Sequence, residues 1–228
     1  MPSSKKILHF TASALLTSVA VGLLGFGMSA QWAISNSSCG GTILVNGTAK
    51  IELALFEGKL ERVDCPLFGS TDYFSVVPTL IDIGGASSAL HILVVFLLVL
   101  SLLFSAGNIL ISLYNSVANP YETYMGPIGV YTCCSVSVCL AALALILFVV
   151  NISVTGMADS LVEKFSSSEV TLKDLSSEMQ VGFFMIIPNI ALNLGAIGSI
   201  YMYDHAAYTH RREQQKPTED APKEIMMY

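Results

Sequence analysis

Residues 89–113 read ALHILVVFLLVLSLLFSAGNILISL, roughly 25 consecutive positions without Asp, Glu, Lys or Arg, where a helix needs about 20 to cross a hydrocarbon core. An unpaired charge at that depth costs about 2.5–3.5 kcal/mol on insertion scales, so a run this long is a strong signal. Three more charge-free runs of similar length occupy residues 7–30, 128–150 and 181–203. The chain has 228 residues, of which 53% are hydrophobic and only 12% charged, while a soluble domain carries roughly 25% charged residues. That is too little charge to coat a water-facing surface. The expected fold class is a membrane all-α protein, a left-handed-type bundle of four transmembrane helices.

The first run has a second reading as a cleaved signal peptide, with Lys5 and Lys6 as its basic region and Met28-Ser29-Ala30 resembling a cleavage site. A signal core spans roughly 7–15 apolar residues, and this run is longer, so an uncleaved anchor is the preferred reading. Lys5 and Lys6 precede the first run, and Arg211, Arg212, Lys216 and Lys223 follow the last. The loops at residues 31–88 and 151–180 are acidic on balance, and Glu122 is the only charge in residues 114–127. Basic residues favour the cytosolic side. The expected layout therefore has residues 1–6 cytosolic, 31–88 and 151–180 extracellular, 114–127 a cytosolic loop, and 204–228 a cytosolic disordered tail. Three glycosylation sequons, at Asn36, Asn46 and Asn151, all fall in the loops so placed outside. Asn46 is the leading acceptor, Asn36 lies closer to the membrane, and Asn151 abuts a span.

The long first loop has room for a small ordered unit. Thr42 to Val45, the pair Asn46-Gly47, and Thr48 to Phe56 read as an antiparallel β-hairpin, because Asn-Gly is the favoured type I′ turn pair. Ile51, Leu53 and Leu55 alternate with Lys50, Glu52 and Ala54, the pattern of a half-buried strand. Cys39 and Cys65 bracket the hairpin and are the only cysteines in the outer loops. In an oxidising compartment such a pair is expected to form a disulfide. Cys133, Cys134 and Cys139 cluster at the start of the third span without a His or acid beside them, which argues against a metal site. Small packing residues is the main reading for them, with palmitoylation of Cys133 or Cys134 as the other.

Within the spans, small residues recur at four-residue spacing: Ala14, Ser18 and Gly22 in the first, and Ala191, Gly195 and Ser199 in the fourth. Such stripes let helices approach closely; they serve either the bundle itself or a lateral partner. Polar side chains read as sparse, namely His9, His91, Asn108, Asn189 and Asn193. The two histidines are expected to snorkel near span ends. Asn189 and Asn193 share a face, and are expected to bond between helices beside a kink at Pro188. A transporter is expected to bury ionisable residues, and none occurs here as Asp, Glu, Lys or Arg. No nucleophile elbow, zinc-ligand set or phosphate loop is present, so catalytic residues, cofactor and metal are all read as none. Asp159, Glu163 and Glu169 fall in a Ser-rich loop expected to be a linker with a short amphipathic helix.

Leu55-Phe56-Glu57-Gly58 ahead of Cys65, with Trp32 after the first span, resembles the outer-loop signature of claudin-like tetraspans. The claudin motif has a second Trp, where Phe56 stands near, and different cysteine spacing, which argues against paracellular strand formation. The clarin family is a closer likeness. Met1-Pro2 before Lys5-Lys6, Leu44-Val45-Asn46, the stretch YNSVANPYET from Tyr114, and GPIGVY from Gly126 all resemble it, as does the tail with Lys216-Pro217 and Ala221-Pro222. The resemblance implies a non-enzymatic plasma-membrane protein with a claudin-like fold. Better-understood clarins organise membrane domains with the actin cytoskeleton in sensory hair cells and photoreceptors. Here the implied role is to scaffold membrane-protein and cytoskeletal assemblies in sensory or epithelial cells. The alternatives are an auxiliary subunit of a channel or receptor and, more remotely, an autonomous channel or transporter. The expected partners are the lipid bilayer, other membrane proteins laterally, and a PDZ-domain or cytoskeletal adaptor at the C-terminus. For the PDZ contact, Met226 and Tyr228 present alternate apolar side chains. No nucleic-acid or small-molecule substrate signal is found.

Overall fold

In hydrocarbon a backbone has no water to bond, so long runs of Leu, Val, Ala and Phe satisfy their own amides by closing into helices. The computed structural model describes residues 4–40, 46–63, 70–118, 125–165 and 171–215. Its long helices are α1 (Ser4–Ser29), α3 (Gly85–Val117), α4 (Gly126–Ser153) and α7 (Ile186–Gln215), the last preceded by one turn, α6 (Val181–Phe184). Four helices are long and apolar enough to cross a membrane. α1 packs on α3 and α7, and α4 packs on the same two. The chain alternates direction through this ring, so its N-terminal and C-terminal helix ends share one end of the bundle.

The other end carries a five-stranded antiparallel sheet in the order β4-β3-β2-β1-β5. Its strands are β1 (Gln31–Gly40), β2 (Asn46–Ala54), β3 (Glu57–Val63), β4 (Ser70–Ser75) and β5 (Thr171–Met179). Alternation sets the faces, with Ala33, Ser35, Ser37, Ala49, Ile51, Leu53 and Leu60 buried against the helices. Two short helices, α2 (Val76–Ile83) and α5 (Met157–Phe165), complete this end.

Two sequence expectations need correction here. Asn46 and Gly47 are not a turn: they pair with Gly40 and Cys39 as the first residues of β2. The first arm of the hairpin is β1, whose small polar residues Ser35 to Ser38 hide a period-two pattern that burial reveals. Residues 42–45, expected as the first arm, lie outside the described residues. The second outer loop is more than a linker. Its amphipathic helix is present as α5, but its later part forms β5 and adds to β1 with Ala33 opposite Met179 and Ile34 opposite Glu178. Edge strands need main-chain bonds more than apolar alternation, so the polar run TLKDLSSEM gave little sign of one.

Candidate functional site

Three regions carry the distinctive chemistry: the junction between sheet and bundle, a polar seam inside the bundle, and a bare outer face of α1.

The junction is built around Trp32, fully buried, whose indole N–H donates to the Gly27 carbonyl at 2.7 Å. Its ring meets Phe148 edge-on at 4.8 Å and Phe183 at 6.1 Å. Gly182 is required beside it, since an added Cβ would lie 2.6 Å from Trp32 Cδ1 and 2.7 Å from the Gln31 carbonyl. The Leu55-Phe56-Glu57-Gly58 signature is the β2–β3 turn that docks on the helices. Leu55 is buried, and its carbonyl accepts the His91 Nε2–H at 2.8 Å. The Phe56 carbonyl accepts the Val76 amide at 2.9 Å, while the Phe74 ring covers Gly58 from the neighbouring strand. His91 is therefore a fully buried tie between α3 and the sheet, not a snorkelling residue.

On the sheet, Lys50 and Glu52 pair at 2.7 Å. That hydrogen bond raises the Lys50 pKa above its ordinary value and lowers that of Glu52, which also accepts from Gln31. Arg62 joins the two outer loops, donating to Asp72 at 2.5 Å and to the Phe165 carbonyl at the end of α5 at 2.8 Å. Burial, and then the nearby Glu163, raise the Asp159 pKa.

The seam was not foreseen. Ser101, Ser105, Asn108 and Ser112 of α3 are all fully buried and spaced four, three and four residues apart. Ser137 of α4 bonds the hydroxyls of Ser101 and Ser105, each at 2.8 Å. On the α1 side, Asn108 donates to Thr17 at 2.7 Å and Ser112 to Ser13 at 3.4 Å. The 3–4 spacing of polar residues along a Leu- and Val-rich helix was visible in the sequence, but serine had been read as merely small. Asn189 and Asn193 are also buried, yet the expected interhelical bond is not made: Asn193 Nδ2 donates to the Asn189 carbonyl and side-chain oxygen of its own helix.

The small-residue stripes divide. Ala14 and Ser199 face the bundle, with Ser199 donating to the His9 carbonyl at 3.3 Å. Ser18, Gly22, Ala191 and Gly195 are exposed. Ser18 bonds its own helix through the Ala14 carbonyl, and a Cβ added at Gly22 would meet nothing within 4 Å. At Gly195 it would meet only Leu16, at 3.7 Å.

Of the sequon residues, Asn36 is exposed on β1, and Asn46 begins β2. Asn151 is buried at the end of α4, its amide donating to the Ser87 carbonyl at 3.2 Å and its side-chain oxygen accepting from Thr155 at 2.6 Å. A glycan on Asn151 would have to displace the first of these bonds. Cys65, and with it the Cys39–Cys65 bridge, lies outside the described residues, as do Met226 and Tyr228. Cys134 is buried, Cys133 partly so, and Cys139 exposed. Among the described residues no three His, Cys, Asp or Glu side chains gather as a metal site.

Comparison with known proteins adds a family. A model described as Clarin-2-like matches residues 5–194. The chain is 30% identical to Clarin-3 of Mus musculus over the full length of both chains, and 28% identical to Clarin-3 of Homo sapiens over the same extent. It is 28% identical to Clarin-1 of Mus musculus over 71% of this chain and 72% of that one.

Proposed function

Because the chain belongs to the clarin family of four-span membrane proteins, which is not a family of enzymes, we propose that it gathers and organises other membrane proteins at the plasma membrane. The observation that carries this reading is the outer face of α1. Ser18 and Gly22, with Gly25 one turn on, form a small-residue surface over which nothing in the chain packs. Helix association in lipid depends on close backbone approach at such surfaces, and here that capacity is unspent within the bundle. The seam supports the same reading, because its hydroxyls and amides are committed to one another across α1, α3 and α4 instead of lining a path for solute.

In this reading both termini are cytosolic and the sheet is extracellular. Glycans sit on Asn46 and Asn36, a Cys39–Cys65 disulfide closes the outer tip, and the tail ending at Met226 and Tyr228 meets a PDZ-domain or cytoskeletal adaptor.

The test is a Gly22→Ile variant of the full chain, compared with wild type by crosslinking and co-purification from cells. The added side chain has free space in the monomer, so the melting temperature stays unchanged while specific membrane partners drop out. An unchanged partner set, or recovery of only bulk membrane proteins from the wild type, overturns the reading. Altered gating of a co-expressed channel would favour an auxiliary-subunit role at the same face, and conductance by the reconstituted chain alone would refute scaffolding as the primary activity.

A further inference from the structure

We propose that the notch where α2 folds back on α3 is a binding site for one acyl chain of a bilayer lipid. Val77 of α2 and Ile92, Val95, Phe96 and Val99 of α3 line it, enclosing about 280 Å³. Val77 precedes the Gly84-Gly85 turn by as many residues as Ile92 follows it, which is why both reach the same notch.

Depth decides what can enter. At 1.5 Å per residue, Ile92 and Val99 lie roughly 10 and 21 Å along α3 from Gly85, inside the charge-free run at residues 89–113. The open side of the notch therefore faces hydrocarbon. All five lining side chains are apolar, so a water molecule would lack the two to four polar partners it needs, and a lipid headgroup would find none. Size then excludes a protein partner. One turn of a helix about 10 Å across and 5.4 Å high fills roughly 420 Å³, more than the notch holds. A single hydrocarbon chain meets both limits.

The walls are fixed before any ligand arrives. Gly84 has φ 74 and ψ −165, a region open essentially to glycine alone, and Gly85 follows at φ 82. Val76 and Leu80 anchor α2 in the core. Lys164 of α5 donates to Asp82 at 3.1 Å and to the Thr79 carbonyl at 3.4 Å, tying the outer side of α2 down. A shaped, rigid groove keeps its dispersion contacts with a chain of matching width, whereas a smooth helix face offers fewer. The site is on α2 and α3 and is independent of the α1 face.

The full chain in nanodiscs containing phosphatidylcholine with a mid-chain diazirine tests this, with labelled positions mapped by mass spectrometry after irradiation. Ile92 to Val99 should label about fivefold above Leu110 and Ile146, the ratio given by a preference of about 1 kcal/mol; the two controls are lipid-exposed at 69% and 60%. Val95→Trp or Val99→Trp fills the notch and should bring its labelling down to the control level while Leu110 and Ile146 label as before, which also reports that the bundle is intact. Even labelling across all lipid-facing positions overturns the site. Capture of a sterol diazirine in preference to the phospholipid overturns the acyl-chain assignment, as does crosslinking of the notch to a second protein chain.

Discussion

The sheet–bundle junction and the mid-bundle seam are both fully buried, yet they are held together by opposite means. At the junction Trp32, Phe148, Phe183, Leu53 and Leu55 interlock, and glycines stand where only a hydrogen fits. In the seam, short hydroxyls and amides bridge three helices. The solvents differ. Near water, burying aromatic and aliphatic surface stabilises the fold directly. Within lipid the surroundings are as apolar as leucine, so helices gain from close approach and hydrogen bonds instead. One chain thus uses two kinds of core, and the sheet is fastened where they meet, through His91 and the Leu55 carbonyl.

The contrast is sharpest at Trp32. Trp32→Ala removes the ring that Phe148 and Phe183 pack against and should destabilise the protein by about 3–5 kcal/mol, read as a loss of monodisperse protein on heating in detergent. Next is Gly182→Ala. Its Cβ would press on Trp32 and on the Gln31 and Gly27 carbonyls, and two of those contacts are backbone that yields little. Overpacking of this kind costs about 1–3 kcal/mol. If Gly182→Ala melts like wild type, the shape-locked account of the junction is wrong.

Ser137→Ala probes the other core. Ser105 loses the hydroxyl partner at 2.8 Å, whereas Ser101 keeps a bond to the Ser137 carbonyl at 3.1 Å. Interhelical hydrogen bonds in membranes average about 0.6 kcal/mol and reach about 1.7, so the loss should be well below that of either junction variant. A Ser137→Ala loss as large as that of Trp32→Ala would erase the distinction between the two regions.

The four helices were legible because exclusion of charge from hydrocarbon is severe and leaves long, unmistakable runs. The β2 strand was legible for the matching reason, Ile51, Leu53 and Leu55 alternating with polar neighbours. What escaped were features with weak local chemistry. Strand β1 is mostly serine and asparagine where it was misread, and β5 is fixed by main-chain pairing to a segment more than a hundred residues earlier. The stripe from Ala14 to Gly22 was visible, but a helix drifts about 40° for each four-residue step, so Ala14 turns inward while Gly22 turns out. No rule of spacing reveals which side a neighbour occupies. The seam was the real omission, since the period in Ser101, Ser105, Asn108 and Ser112 was there to be counted.

The smallest effect belongs to the outward sheet surface, which contrasts with both cores because it is wet. Glu52 accepts from Lys50 at 2.7 Å and from Gln31 at 3.0 Å, and its pKa is lowered chiefly by the Lys50 hydrogen bond. A carboxylate whose folded pKa is lowered binds its proton more weakly than in the unfolded chain. Its contribution to stability is therefore complete above the ordinary glutamate value, about 4.3, and fades as the pH falls through the lowered folded value. Glu52→Gln should remove that acid-side dependence and leave the rest of the melting profile parallel to wild type. Water screens the pair and the lysine is mobile, so exposed ion pairs of this kind contribute little, and the shift at neutral pH should be smaller than that of Ser137→Ala. A larger shift would mean that the outer face is covered in the folded protein, placing a partner on the sheet as well as on α1.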